Sequence, residues 1–193
     1  KSVQDNMPIL YDRGGNNRSM IHIDTFSGDV LAYVWSADYN NTDIEGQNDM
    51  VRNSRQPWSS IKPLIYAYLL QNLPITIDTP IYDIPFTVWG LTPSNADGKF
   101  EWLLPLRQAL PHSRNIPAVK AYLAAWQEEK IKPFLQWLWL TSLPSDHEYG
   151  YSLALWAWEV SMLEMAQAYS ALSQLWKPAE INPILEIKDK NSN

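Results

Sequence analysis

The chain has 193 residues, 46% of them hydrophobic, no cysteine and a formal net charge of −6. Such a length can bury the core of one domain or most of one, and an acidic balance spread without long charge blocks argues against nucleic acid as a partner. The lack of cysteine excludes disulfides and thiolate metal sites, and no run of 18 apolar residues offers a membrane span.

In chain order, the opening Lys1-Ser2-Val3 shows no signal peptide and reads as an internal cut. Residues 20–23 and 30–34 are rich in β-formers and flank Asp24-Thr25-Phe26-Ser27-Gly28-Asp29, which predicts a hairpin with a glycine-containing loop. Residues 36–56 are polar and expected to be irregular. Asp49 within them has no role that the sequence supplies.

Next comes Arg55-Gln56-Pro57-Trp58-Ser59-Ser60-Ile61-Lys62-Pro63. Ile61, Leu64, Ile65, Tyr68 and Leu69 follow at i, i+3, i+4, i+7, i+8, predicting a helix over 59–71 with one buried face and Pro63 in its first turn. Ser59 and Lys62 then share that face at the helix N-terminus, where positive dipole and unpaired N–H groups favour charge developing on an attacking oxygen. A serine hydroxyl is too weakly acidic to attack an amide unaided, and a lysine kept neutral by burial can take its proton. Ser59 is the candidate nucleophile and Lys62 its base; Ser60 faces Pro63 three residues on and has none. The same four-residue spacing also arises with an ordinary surface lysine near a helix start.

Prolines at 74, 80, 85 and 93 break the stretch from Leu73 to Lys99 into a long crossing segment with one short strand. A helix is predicted over 105–110, then Pro111-His112-Ser113-Arg114-Asn115-Ile116-Pro117. Because Ile116 precedes a proline, Ser113 and Asn115 are expected in a loop before a helix over 117–125. Alone, a Ser-x-Asn loop reads equally as a cap or turn. Further helices are predicted over 132–139 and 162–175, the latter with Ser161 and Glu164 as a capping box and Val160 and Met165 as a hydrophobic staple. His22, His112 and His147 lack metal-ligand spacing.

Ser59-x-x-Lys62 followed by Ser113-x-Asn115 resembles the transpeptidase domain of penicillin-binding proteins, among the penicillin-recognising serine acyltransferases that include serine β-lactamases. The similarity runs through MIHIDTFSGDVLAYVWSADYN, QNDMVRNSRQPWSSIKPLIYAYLLQ, LRQALPHSRNIPAVKAYL and SLALWAWEVSMLEMAQAYSAL, and is nearest to the class A, bifunctional branch, with a 1C-like flavour. It implies an α+β, β-lactamase/transpeptidase-like fold with an N-terminal β-hairpin and a helical region. It also implies that Ser59 is acylated, Lys62 is the base, Ser113 relays a proton to the leaving amine and Asn115 holds a substrate amide. No cofactor or metal is implied. The partners would be peptidoglycan stem peptides, with β-lactams as inhibitors and no nucleic acid.

Related enzymes carry a third motif, K-T-G, and no Lys-Thr-Gly or Lys-Ser-Gly occurs here. The resemblance therefore reads residues 1–193 as a partial transpeptidase domain, stopping near Ile187–Asn193 before the C-terminal sheet strands. Losing an oxyanion-hole donor costs on the order of 100- to 1000-fold in rate, so this piece alone is expected to be a weak catalyst or none. The resemblance implies a parent protein anchored at the extracytoplasmic face of the bacterial membrane; in class A relatives a membrane anchor and a glycosyltransferase domain precede this region.

Ten tryptophans accompany only 7 glycines. Trp35, Trp58, Trp102, Trp126, Trp139, Trp156 and Trp158 stand where the resemblance implies glycine, with Trp137 and Trp176 as weaker cases. A gene whose UGA codons mean glycine, translated with UGA as tryptophan, would produce this pattern. Read as real, the tryptophans suggest a different function: a non-catalytic module stacking indoles on sugar rings. A β-lactamase-like hydrolase is the third reading, for which no water-activating base is identifiable.

Overall fold

The computed structural model describes residues 2–144, 146–155, 157–175, 177 and 179–181. It divides into two compact units, Lys1–Ser54 with Leu138–Leu140 and Val160–Asn193, and Arg55–Trp137 with Thr141–Glu159.

The first unit opens with two short helices that no sequence pattern predicts, α1 (Ser2–Asp5) and α2 (Met7–Tyr11). The predicted hairpin follows at the predicted residues: β1 (Met20–Ile23) pairs antiparallel with β2 (Val30–Val34), with an irregularity in register at His22/Ile23. Its loop is held by the Asp24 carboxylate, which accepts from the backbone N–H of Phe26 (2.8 Å) and Ser27 (3.0 Å). Gly28 takes φ +83°, and a methyl there would meet the Glu180 carbonyl, so glycine is required.

Residues 36–56 are irregular apart from one 3-10 turn, Thr42–Ile44. Asp49 organises part of this segment: it accepts from the Tyr33 hydroxyl (2.6 Å) and from the N–H groups of Val51 (3.0 Å) and Arg52 (3.2 Å). Helix α7 (Met162–Ser173) packs on β1. Its capping box forms as expected, Ser161 Oγ accepting from Glu164 N at 3.1 Å and Glu164 Oε2 from Ser161 N at 3.0 Å.

The second unit is built around α3 (Lys62–Asn72), which continues a 3-10 turn over Trp58–Ile61. Ile61, Leu64, Ile65 and Leu69 are buried, and so are Tyr66 and Lys62, so burial extends beyond the predicted stripe. The short strand expected in the crossing segment is β3 (Pro80–Asp83); it pairs antiparallel with β4 (Trp102–Pro105), which the sequence pattern missed, and α4 (Leu106–Ala109) follows directly.

Helix α5 (Asn115–Ala124) packs against α3, β3 and the 3-10 turn Gly150–Ala154. It begins two residues before the predicted start, a correction taken up below. Helix α6 (Gln127–Trp137) likewise starts earlier than the predicted 132, carrying Pro133 in its interior. Pro133 deprives the carbonyl of Glu129 of its partner, and Glu129 is exposed. The expected continuation to 139 fails because Trp139 turns left-handed, at φ +69°. Among the described residues, no helix is long and apolar enough to cross a membrane.

Candidate active site

Lys62 is the first residue of α3 and is only 1% exposed. Burying an ammonium is costly unless it is neutral or well hydrogen-bonded. Its Nζ donates to the backbone carbonyl of Ser113 (2.8 Å) and to Asn115 Oδ1 (2.7 Å), and lies 3.3 Å from Ser113 Oγ. Burial first, and then the nearby Arg114 guanidinium, lower its pKa from 10.5 to about 8. The two halves of the sequence pattern, 51 and 53 residues apart, thus meet at one amine.

Ser59 sits in the 3-10 turn, exposed, one turn before the lysine, and its carbonyl accepts from the Lys62 backbone N–H. None of the hydrogen bonds from Lys62 Nζ goes to Ser59. Ser60 is differently engaged, its hydroxyl donating to the Pro57 carbonyl.

The expected loop position of Asn115 is corrected: it is the first residue of α5, and Ser113 alone remains in the turn, at φ +52°. The physical reason lies 20 residues upstream. Asn95 Oδ1 accepts from the backbone N–H of Asn115 (2.8 Å) and, 21 residues away, of Ile116 (3.2 Å), satisfying two donors that a new helix leaves open. Pro117 then falls in the first turn, where its missing N–H does no harm. Asn115 Nδ2 donates to the Ser94 carbonyl at 3.0 Å, which fixes its amide with Oδ1 toward the lysine and leaves one N–H over.

Beneath this turn lies a buried polar cluster that sequence reasoning missed. Asp83, fully buried at the end of β3, accepts from Asn95 Nδ2 (2.7 Å), Arg114 Nε (2.8 Å) and the Glu101 backbone N–H (3.0 Å). Arg114 also reaches Asp97 at 3.0 Å and Glu101 at 3.5 Å, so the residue between Ser113 and Asn115 points inward and holds the turn. The Lys99 backbone N–H and, after it, the Arg114 side chain hold the Asp97 carboxyl below its usual range. The available signal was an arginine inside a turn that otherwise reads as exposed.

His112 lies outside the cluster, 2.9 Å from Glu101 and half-exposed. Among the described residues no group of three His, Cys, Asp or Glu is placed to hold a metal ion.

An exposed serine thus stands one turn before a buried lysine of lowered pKa, and that lysine is tied to a Ser-x-Asn pair. The chain belongs to the penicillin-binding protein transpeptidase domain family, whose description matches residues 19–192. It is 28% identical over 165 residues to penicillin-binding protein 1A of Neisseria gonorrhoeae, covering 80% of this chain and 19% of that protein. It is 29% identical over 174 residues to penicillin-binding protein 1C of Escherichia coli, covering 87% and 22%. Among solved structures, penicillin-binding protein 1A from Haemophilus influenzae superposes with a TM-score of 0.69 at 27% identity, over 80% of this chain and 23% of that one. The fold is therefore the β-lactamase/transpeptidase-like α+β fold, and the chain spans about a fifth of the length of these curated relatives.

Proposed function

We propose that residues 1–193 are the nucleophile-bearing part of a D-alanyl-D-alanine transpeptidase domain that cross-links peptidoglycan stem peptides. The observation that carries this reading is Lys62, buried, lowered to about 8, and hydrogen-bonded to both Ser113 and Asn115 three residues after Ser59.

In the reaction, Ser59 Oγ attacks the carbonyl of the penultimate D-alanine while the neutral Lys62 amine takes its proton. The tetrahedral intermediate collapses, the peptide bond breaks, and the terminal D-alanine leaves with a proton passed from Lys62 through the Ser113 hydroxyl. Asn115 offers its remaining Nδ2 hydrogen to a substrate carbonyl. An amine of a neighbouring stem then attacks the Ser59 ester, forming the cross-link and returning the proton to Ser59. A β-lactam presents a strained amide to the same serine and stays attached as the ester.

β-Lactam binding is supported by the relatives' names, and attachment of the domain to a larger protein by the short span covered; the stem-peptide substrate and anchoring at the extracytoplasmic face of the membrane belong to the same proposal. The test is labelling of the full-length protein with fluorescent penicillin beside its Ser59→Ala variant. Label is expected on the first and absent from the second; label that survives in the alanine variant refutes the nucleophile.

A further inference from the structure

Left-handed backbone is glycine's territory, because an L side chain there crowds its own carbonyl, and a bulky residue in that region is a genuine outlier. Two of the ten tryptophans, Trp156 and Trp176, lie outside the described residues. Of the other eight, five are left-handed: Trp58 (φ +48°), Trp89 (+50°), Trp102 (+65°), Trp126 (+66°) and Trp139 (+69°). All remaining non-glycine residues described contribute only Glu45, Ser113, Gln127 and Leu175. The bias belongs to tryptophan.

The local settings name the residue that fits. Trp126 and Trp139 each stand two residues past the end of a helix, α5 and α6, the position where a left-handed glycine commonly closes the helix. Trp89 and Gly90 are the two central residues of a tight turn closed by Val88 N to Leu91 O (2.9 Å) and Leu91 N to Val88 O (3.0 Å). Both have positive φ, the mark of a type I′ turn, which Asn-Gly or Gly-Gly normally supplies. Burial offsets little of this, since the five indoles are 46–73% exposed, although Trp89 stacks on Tyr151 at 6.3 Å. Composition agrees: five more glycines would bring the 7 present to twelve of 193, close to the usual share of about 7%.

We propose that positions 58, 89, 102, 126 and 139 are glycine in the protein as its own cells make it, their codons being UGA read as glycine. Trp89 enters on backbone geometry alone. Trp35 and Trp158 are not left-handed, although Trp158 is buried with its indole N–H unpartnered among the described residues. The consequence at position 58 rests on the transpeptidase reading: a glycine immediately before Ser59 removes an exposed indole from the approach to the nucleophile.

The test does not depend on that reading. The gene is sequenced at the five codons, and the native protein, isolated from its own cells, is mapped by peptide mass spectrometry. UGA at all five and peptides carrying glycine at each are the expected result. A UGG codon at any one of them, or native peptides carrying tryptophan there, overturns the proposal whatever the outcome of penicillin labelling.

Discussion

To act as the proposed base, Lys62 must be buried enough to lose its proton and must still reach a hydroxyl. A neutral amine has two N–H groups and one lone pair. Two carbonyl acceptors, Ser113 O and Asn115 Oδ1, can take both hydrogens, which leaves the lone pair for a hydroxyl proton. With a pKa of about 8, the neutral fraction falls roughly tenfold for each pH unit below that value. Penicillin acylation of the full-length protein is therefore expected to climb about tenfold per unit up to pH 8 and level off above it; a rate flat from pH 6 upward would show that the lysine is not the base. Stability runs in the same direction. The folded pKa lies below the unfolded 10.5, so the unfolded chain binds the extra proton between the two, and this group's contribution improves as pH rises from about 8 to 10.5. The spacing of Ser59 and Lys62, and of Ser113 and Asn115, was legible because each pair is local. That Ser113 and Asn115 meet at the Lys62 amine was implied by resemblance alone, since nothing in the linear pattern measures a gap of 51 residues.

The same contrast between local and distant partners governs the elements. The cap of α7 involves residues three apart and could be read directly; Ser161→Ala is expected to lower stability by about 1 kcal/mol in chemical denaturation, and an unchanged midpoint would show that the box contributes nothing. The cap of α5 comes from Asn95, 20 residues away, so the pre-proline rule placed the helix start two residues late. Asn95→Ala leaves the N–H groups of Asn115 and Ile116 and one oxygen of buried Asp83 without their partner. A loss of about 1–3 kcal/mol is expected, together with slower acylation, because Asn115 is both the start of the helix and a ligand of the lysine. Full stability in that variant would mean that water or another side chain already serves those groups. Strand β4 escaped notice for a related reason: its four residues have no alternation of their own and are defined by pairing with β3. Tertiary partners, not propensity, decide such short elements.

Over the whole molecule, five left-handed tryptophans amount to a large burden. Each L residue in that region costs about 1–2 kcal/mol, against which glycine gives up roughly 0.5–1 kcal/mol through the greater freedom of the unfolded chain. The net penalty summed over five separated sites is a few kcal/mol, a substantial part of the 5–15 kcal/mol by which a typical domain is stable. Two recombinant versions of the full-length protein, with tryptophan or with glycine at positions 58, 89, 102, 126 and 139, should therefore differ, the glycine version unfolding at a clearly higher denaturant concentration. Trp137 supplies a control of opposite sign. It is the last residue of helix α6 and its ring stacks on Phe134 at 6.3 Å, so Trp137→Gly removes packing and adds backbone freedom, and is expected to cost about 1 kcal/mol. If all six changes shifted stability the same way, the effect would belong to losing indoles in general. A gain at five positions and a loss at the sixth assigns the gain to the left-handed backbone that those five tryptophans share and Trp137 lacks.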